Sequence, residues 1–132
     1  MKGPMLALGA QFYQFYSSAG LCALLLLGST VPAAEYVAAV TGWEMDWAEA
    51  LRAGRRILTL RQSFNAREGM VPGEFCLPER LVQPLEAGVS AGQKIDFETM
   101  KTSYFTAMGW DLKTGKPSPT TWRELGLEKL GG

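Results

Sequence analysis

Apolar residues in this chain do not alternate over any useful length. They fall in runs or at helical spacing, which predicts helices and no sheet. Gly20 precedes Leu21-Cys22-Ala23-Leu24-Leu25-Leu26-Leu27, apolar on every side, which predicts a helix buried all round and stopped at Gly28-Ser29-Thr30. Pro32 suits the first turn of a second, short helix carrying Tyr36, Val37 and Val40, with Gly42 as its C-terminal cap. Asp46, followed by Glu49, reads as the N-cap and reciprocal acid of the clearest helix in the chain, whose core side would carry Trp47, Leu51, Leu58 and Phe64.

From Gly69 to Gln93, glycines and prolines break every periodicity, and this stretch is expected to be a long ordered connection. Asp96 then caps a helix with Phe97, Met100, Tyr104 and Met108 on one stripe, closing at Gly109. Lys113-Thr114-Gly115-Lys116 is turn-like. Ser118 and Pro119 open a last short helix with Trp122 and Leu125 inward and Gly126 at its end. The expected fold class is all-α: one irregular multi-helical domain over residues 1–132.

Composition narrows the chemistry. With 132 residues, 47% apolar and 20% charged, the chain is long enough for one buried core. Thirteen basic and thirteen acidic residues cancel without forming blocks, so no footprint for nucleic acid or an anionic membrane is expected. Histidine is absent, which removes the commonest general acid/base and metal imidazole. Cys22 and Cys76 form neither a disulfide framework nor a CxxC zinc pattern, and suit a reducing cytoplasm. Lys2, the apolar run and Pro32-Ala33-Ala34 imitate the zones of a signal peptide, but the Gln11–Tyr16 segment ahead of that run favours a buried helix start.

Several features have plain structural readings. Arg52, Arg55, Arg56 and Arg61 gather positive charge on one helix side, which is most simply a solvated or salt-bridged face. Arg67-Glu68 is expected to tie down the following connection rather than to catalyse. The tryptophans at 43, 47, 110 and 122 are expected to be bulky core anchors. Cys76 is expected to be a packed or partly exposed free thiol, and a lone cysteine such as Cys22 in an apolar run is by residue type a small buried hydrophobe.

Taken in order, Gly20-Leu21-Cys22, Val40-Thr41-Gly42-Trp43, Phe64-Asn65-Ala66-Arg67-Glu68-Gly69 and Leu77-Pro78-Glu79-Arg80 resemble the C-terminal region of aldehyde:ferredoxin oxidoreductases. Tyr104, Gly109-Trp110-Asp111, Gly115, Pro117 and Leu125-Gly126-Leu127 are similar to the closing segment of that family, so the likeness runs from about Ser17 to the end. It implies the last helical domain of a much longer enzyme that holds a tungsten or molybdenum bis-pterin and a [4Fe-4S] cluster, oxidises aldehydes to carboxylic acids, and passes electrons to ferredoxin or a similar carrier. By resemblance, Cys22 would be the fourth thiolate of the cluster; Gly20 would let the backbone approach closely, with the amide-rich start of a helix there to hydrogen-bond a pterin or stabilise the negatively charged cluster, and Leu21 would supply apolar contact or a backbone group. Ser17 departs from the family's aspartate at that position, which weakens the expected hold on the pterin.

The same resemblance assigns no catalytic residue to this chain; the acid/base groups and the other three thiolates would lie in upstream domains, its expected partners. The alternative is a non-catalytic helical packing or interaction module left from such an enzyme. In either case Phe12, Phe15, Leu21, Leu24 and Leu25 are expected to lack a partner in the chain alone, giving a patch prone to self-association.

Overall fold

The computed structural model describes residues 2–22, 24–25 and 31–130. Among them are α1 (Lys2–Ser18), α2 (Ala33–Thr41), α3 (Trp47–Arg67), α4 (Glu79–Val82), α5 (Phe97–Met108) and α6 (Pro119–Glu124). No strand or sheet forms among the described residues; isolated bridges pair Leu85 with Ala91 and Trp110 with Pro117. The chain is all-α, as its hydrophobic pattern predicts. No helix among the described residues is long and apolar enough to cross a membrane.

The N-terminal third departs from expectation. A helix ends at Gly20 instead of beginning there: α1 occupies Lys2–Ser18, and Gly20 takes φ +82°, a left-handed conformation that stops the helix. Pro4 is tolerated because it falls in the first turn, where backbone N–H groups have no intrahelical acceptor. Leu24 and Leu25, expected inside a buried helix, lie in a 3-10 turn and are 71% and 44% exposed. Ala23, Leu26, Leu27 and the expected stop at Gly28-Ser29-Thr30 lie outside the described residues.

α1 is the spine of the fold. Its C-terminal half puts Phe15 and Tyr16 into one core with Ala33 and Ala34 of α2 and Ala50 of α3; its N-terminal half puts Ala7 into another with Phe105, Met108 and Trp110. Two glycines set how closely the helices approach. A Cβ at Gly54 of α3 would strike the Gln11 carbonyl of α1, and one at Gly3 of α1 would lie 2.5 Å from the Ser103 carbonyl carbon of α5. The α1–α3 seat is therefore made by small residues, with Ala50 and Gly54 buried against α1.

That seat corrects the expected core face of α3. Leu51 and Leu58 are half-buried, but Trp47 and Phe64 are exposed, and the buried positions are Ala50, Gly54, Thr59 and Gln62. Large side chains at the crossing would hold the backbones apart, so the bulky residues stand beside it. Trp47 packs at a tilt against Phe12 of α1, 5.1 Å between ring centroids. Trp43 is exposed too, so of the four tryptophans only Trp110 is a buried anchor, with Trp122 half-buried. The expected partnerless patch is likewise smaller. Phe15 is buried and Phe12 and Leu21 pack against its cluster, because α1 folds back on α2 and α3 within this chain.

Asp46, Asp96 and Ser118 cap their helices as the sequence predicts. Asp46 accepts from the Glu49 amide at 2.8 Å, Asp96 from the Thr99 amide at 3.2 Å and Ser118 from the Thr121 amide at 3.1 Å. Glu49 does not reach back to complete a reciprocal box and instead meets Arg52. Gly42 and Gly109 close α2 and α5 with φ +73°. Pro32 is the residue before α2 rather than its first.

The C-terminal segment is locked by polar contacts. Gln62 of α3, buried, donates to the Gly115 carbonyl at 3.0 Å, and Thr121 of α6 donates to the Gly109 carbonyl at 2.9 Å. Asp111 Oδ1 accepts from the amides of Lys113 and Thr114 at 3.0 and 2.7 Å, which builds the 113–116 turn. The connection after Gly69 is exposed and held at intervals, by a 3-10 turn at Pro72–Glu74 and by α4.

Candidate functional site

The turn after α1 carries the three residues singled out by resemblance. The Gly20 amide donates to the Ser17 carbonyl at 3.1 Å and the Leu21 amide to the Tyr16 carbonyl at 3.2 Å, the paired bonds of a helix C-terminus closed by a left-handed glycine. Both amides are thus spent on α1. The end of a helix that lies here carries exposed carbonyls and partial negative charge, not the positive, amide-rich start expected from the sequence. Leu21 is half-buried against the Phe15–Tyr16 cluster and anchors the turn from below.

Cys22 follows with its side chain exposed, and its carbonyl accepts from the Leu25 amide at 3.0 Å. The reading of Cys22 as a small buried hydrophobe is therefore not met. Space opens beside it too: a Cβ added at Gly20 would meet nothing within 4 Å. The turn accordingly presents one thiol and an unobstructed backbone on the surface.

A cubane cluster normally takes four thiolates. Among the described residues no group of three or more Cys, Asp or Glu side chains could hold a metal. One thiol on an exposed turn fits the donor chemistry of a cluster whose other ligands come from elsewhere, and the residues here do not conflict with it. Ser17 is exposed at the end of α1 and its carbonyl is engaged by Gly20. Cys76 is an exposed thiol in the connection before α4.

The arginine stripe resolves into ordinary contacts. Arg52 pairs with Glu49 at 3.4 Å and Arg55 with Glu124 at 3.6 Å, Arg55 also reaching the Met108 carbonyl at 3.4 Å. Arg61 donates to Gln14 of α1. Arg67 pairs with Glu68 at 3.1 Å and lies over the Phe64 ring, both partners exposed, and Glu68 and Met70 amides return to α3 carbonyls. These contacts hold α6 and the connection onto α3.

Sequence reasoning missed the platform beneath the turn. Phe15 and Tyr16 support it, and their signal was a long apolar and aromatic segment uninterrupted from Leu6 to Tyr16 except by Gly9, Gln11 and Gln14. Pro4 and Gly9 mask that segment's helical character, since both are poor helix formers by propensity.

Residues 1–127 match the family described as aldehyde ferredoxin oxidoreductase, domains 2 and 3. Over 134 aligned residues the chain is 29% identical to the tungsten-containing aldehyde ferredoxin oxidoreductase of Pyrococcus abyssi and 30% identical to that of Pyrococcus furiosus, in each case 98% of this chain and 22% of the relative. The corresponding protein of Pyrococcus horikoshii is 30% identical over 118 residues, 86% of this chain and 19% of the relative. The chain thus spans about a fifth of the length of these relatives.

Proposed function

The chain belongs to the aldehyde ferredoxin oxidoreductase family, and from that membership we propose that it is the C-terminal helical domain of a tungsten- or molybdenum-pterin oxidoreductase. The whole enzyme would convert an aldehyde and water to a carboxylic acid and pass the electrons to ferredoxin or a similar carrier in the cytoplasm. Residues 1–132 would act as one domain that closes over cofactors held chiefly by upstream domains. When bound, the pterin-held metal carries the two-electron chemistry and a [4Fe-4S] cluster conducts the electrons away.

This chain's own residues have narrower roles. Cys22 would supply one thiolate to the cluster, on a turn whose position is fixed by Leu21 below and by the Gly20 stop above. Gly20 and Leu21 would bring side-chain-free or carbonyl backbone close to the cofactors; their amides, already donated to α1, would not be the contacting atoms. Ser17 would offer a neutral hydroxyl where the family has a carboxylate, and a neutral acceptor makes weaker bonds to pterin N–H groups than a charged one.

The observation that supports the reading is the exposure of the Cys22 thiol, in a Gly20-Leu21-Cys22 turn that resembles the family's cluster-ligand motif. α1 adds support: a helix apolar on nearly all sides is normally covered all round, yet Met5, Leu8 and Tyr13 are exposed here. Their cover would be the upstream domains that the relatives' greater length implies.

The test is Cys22→Ala, with Cys76→Ala as control, in the full-length polypeptide containing this segment. Iron content and the paramagnetic resonance of the reduced cluster should fall with Cys22→Ala while tungsten or molybdenum content stays, and Cys76→Ala should leave all three unchanged. An unaltered cluster signal in Cys22→Ala would remove Cys22 from the site. A full-length protein with neither iron nor tungsten nor molybdenum would remove the reading.

A further inference from the structure

α1 packs closely on both α3 and α5, while α3 and α5 make much less contact with each other. The gap between them is a cavity of about 330 Å³, within the size range of small-ligand sites. On the α3 side stand Arg61 and Asn65, one helical turn apart and so on one face. Phe97, Lys101 and Tyr104 of α5 line it too, with Phe75 and Trp110.

The walls combine aromatic surface with one buried donor that has no acceptor among the described residues. Tyr104 and Phe105 meet Trp110 edge-on at 5.7 and 5.5 Å, and Phe75 meets Phe105 at 5.9 Å, forming a continuous aromatic surface. The Trp110 indole N–H is buried with no hydrogen-bond acceptor among the described residues. Burial raises the pKa of the Tyr104 phenol above its ordinary value, which keeps it a donor.

Charge then selects the ligand. Two cations and no carboxylate border the cavity. Lys101 is held by Glu98 at 2.9 Å and by the Pro72 carbonyl at 3.3 Å, whereas Arg61 has a neutral partner in Gln14 and no carboxylate among the described residues. A planar guanidinium with unclaimed N–H groups beside an aromatic wall matches a carboxylate attached to a ring.

We propose that this cavity binds a small aromatic carboxylate, its ring on the Tyr104–Trp110 surface and its carboxylate at Arg61. The inference concerns the chain alone and does not depend on the redox reading above. The test is fluorine nuclear magnetic resonance of the full-length polypeptide containing this segment, labelled with fluorotryptophan and titrated with phenylacetate, with the Trp110 signal assigned from Trp110→Phe, or from Tyr104→Phe perturbation should that variant not fold. The Trp110 signal should shift saturably while those of Trp43 and Trp47 stay in place. Arg61→Gln should weaken binding by at least roughly tenfold, the order of one lost charge-assisted hydrogen bond, and Arg61→Lys should recover part of it. Phenylethanol, with a ring but no carboxylate, should bind as weakly to the unaltered chain as phenylacetate does to Arg61→Gln. An unmoved Trp110 signal, equal affinity for the two probes, or unchanged affinity in Arg61→Gln would each overturn the proposal.

Discussion

Replacing Gly54 with alanine should destabilise this domain, although the same change stabilises most helices. Alanine in a helix interior is favoured over glycine by about 1 kcal/mol. Here an added Cβ would overlap the Gln11 carbonyl oxygen and lie 2.8 Å from its carbonyl carbon, both backbone atoms of α1 with no rotamer to move aside. Relief requires α1 and α3 to part by roughly an ångström, and overpacking of that kind costs about 1–3 kcal/mol, at times more, as the loosened contacts lose attraction. Those contacts are the ones that bury Phe15, Tyr16 and Ala50. With a displacement of rigid backbone the cost falls at the upper end or above, and after the propensity gain the expected net loss is about 2 kcal/mol or more. Gly9→Ala is the internal control: it too lies mid-helix, a Cβ there meets nothing within 4 Å, and the substitution should gain about 0.5–1 kcal/mol. Urea denaturation followed by far-UV circular dichroism gives both values, and in thermal melts the two midpoints should move in opposite directions by roughly 4 °C per kcal/mol. If Gly54→Ala proves as stable as Gly9→Ala, α1 does not seat on α3 as described, and the platform under the Cys22 turn is wrong with it.

Other outcomes follow from the same structure. Asp111 has its carboxyl pKa lowered, first by the Thr114 amide, then by the Thr114 hydroxyl and the Lys113 amide, so its stabilisation is fully present above about pH 4 and is lost as pH falls through the depressed folded value. Asp111→Asn should accordingly reduce the melting temperature at neutral pH, with the gap to the parent narrowing in acid; a gap independent of pH would refute this. The isolated chain should self-associate through the uncovered side of α1, where Met5, Leu8 and Tyr13 are exposed, and Met5→Lys with Leu8→Glu should shift light-scattering masses toward the monomer. A clean monomer at high concentration in the unmodified chain would contradict that.

What the sequence determined by itself was local. Asp46, Asp96 and Ser118 marked helix starts, and Gly42 and Gly109 marked stops, because a cap or a left-handed glycine acts within one turn and needs no knowledge of the rest of the chain. The family likeness was legible for the same reason, since short motifs such as Gly20-Leu21-Cys22 survive as contiguous words. Which faces became core was decided only in three dimensions. Trp47 and Phe64 look like core residues by size and spacing, yet α3 meets α1 at Gly54 and Ala50, because two backbones can approach closely only where side chains are small. Helix α1 escaped notice because Pro4 and Gly9 argue against it locally, while its stability comes from burial between α3, α2 and α5, a tertiary gain that overrides propensity. Likewise, no spacing in the sequence brings Arg61, Phe75, Tyr104 and Trp110 around one cavity; two helices that lean on a third far more than on each other leave that space between them.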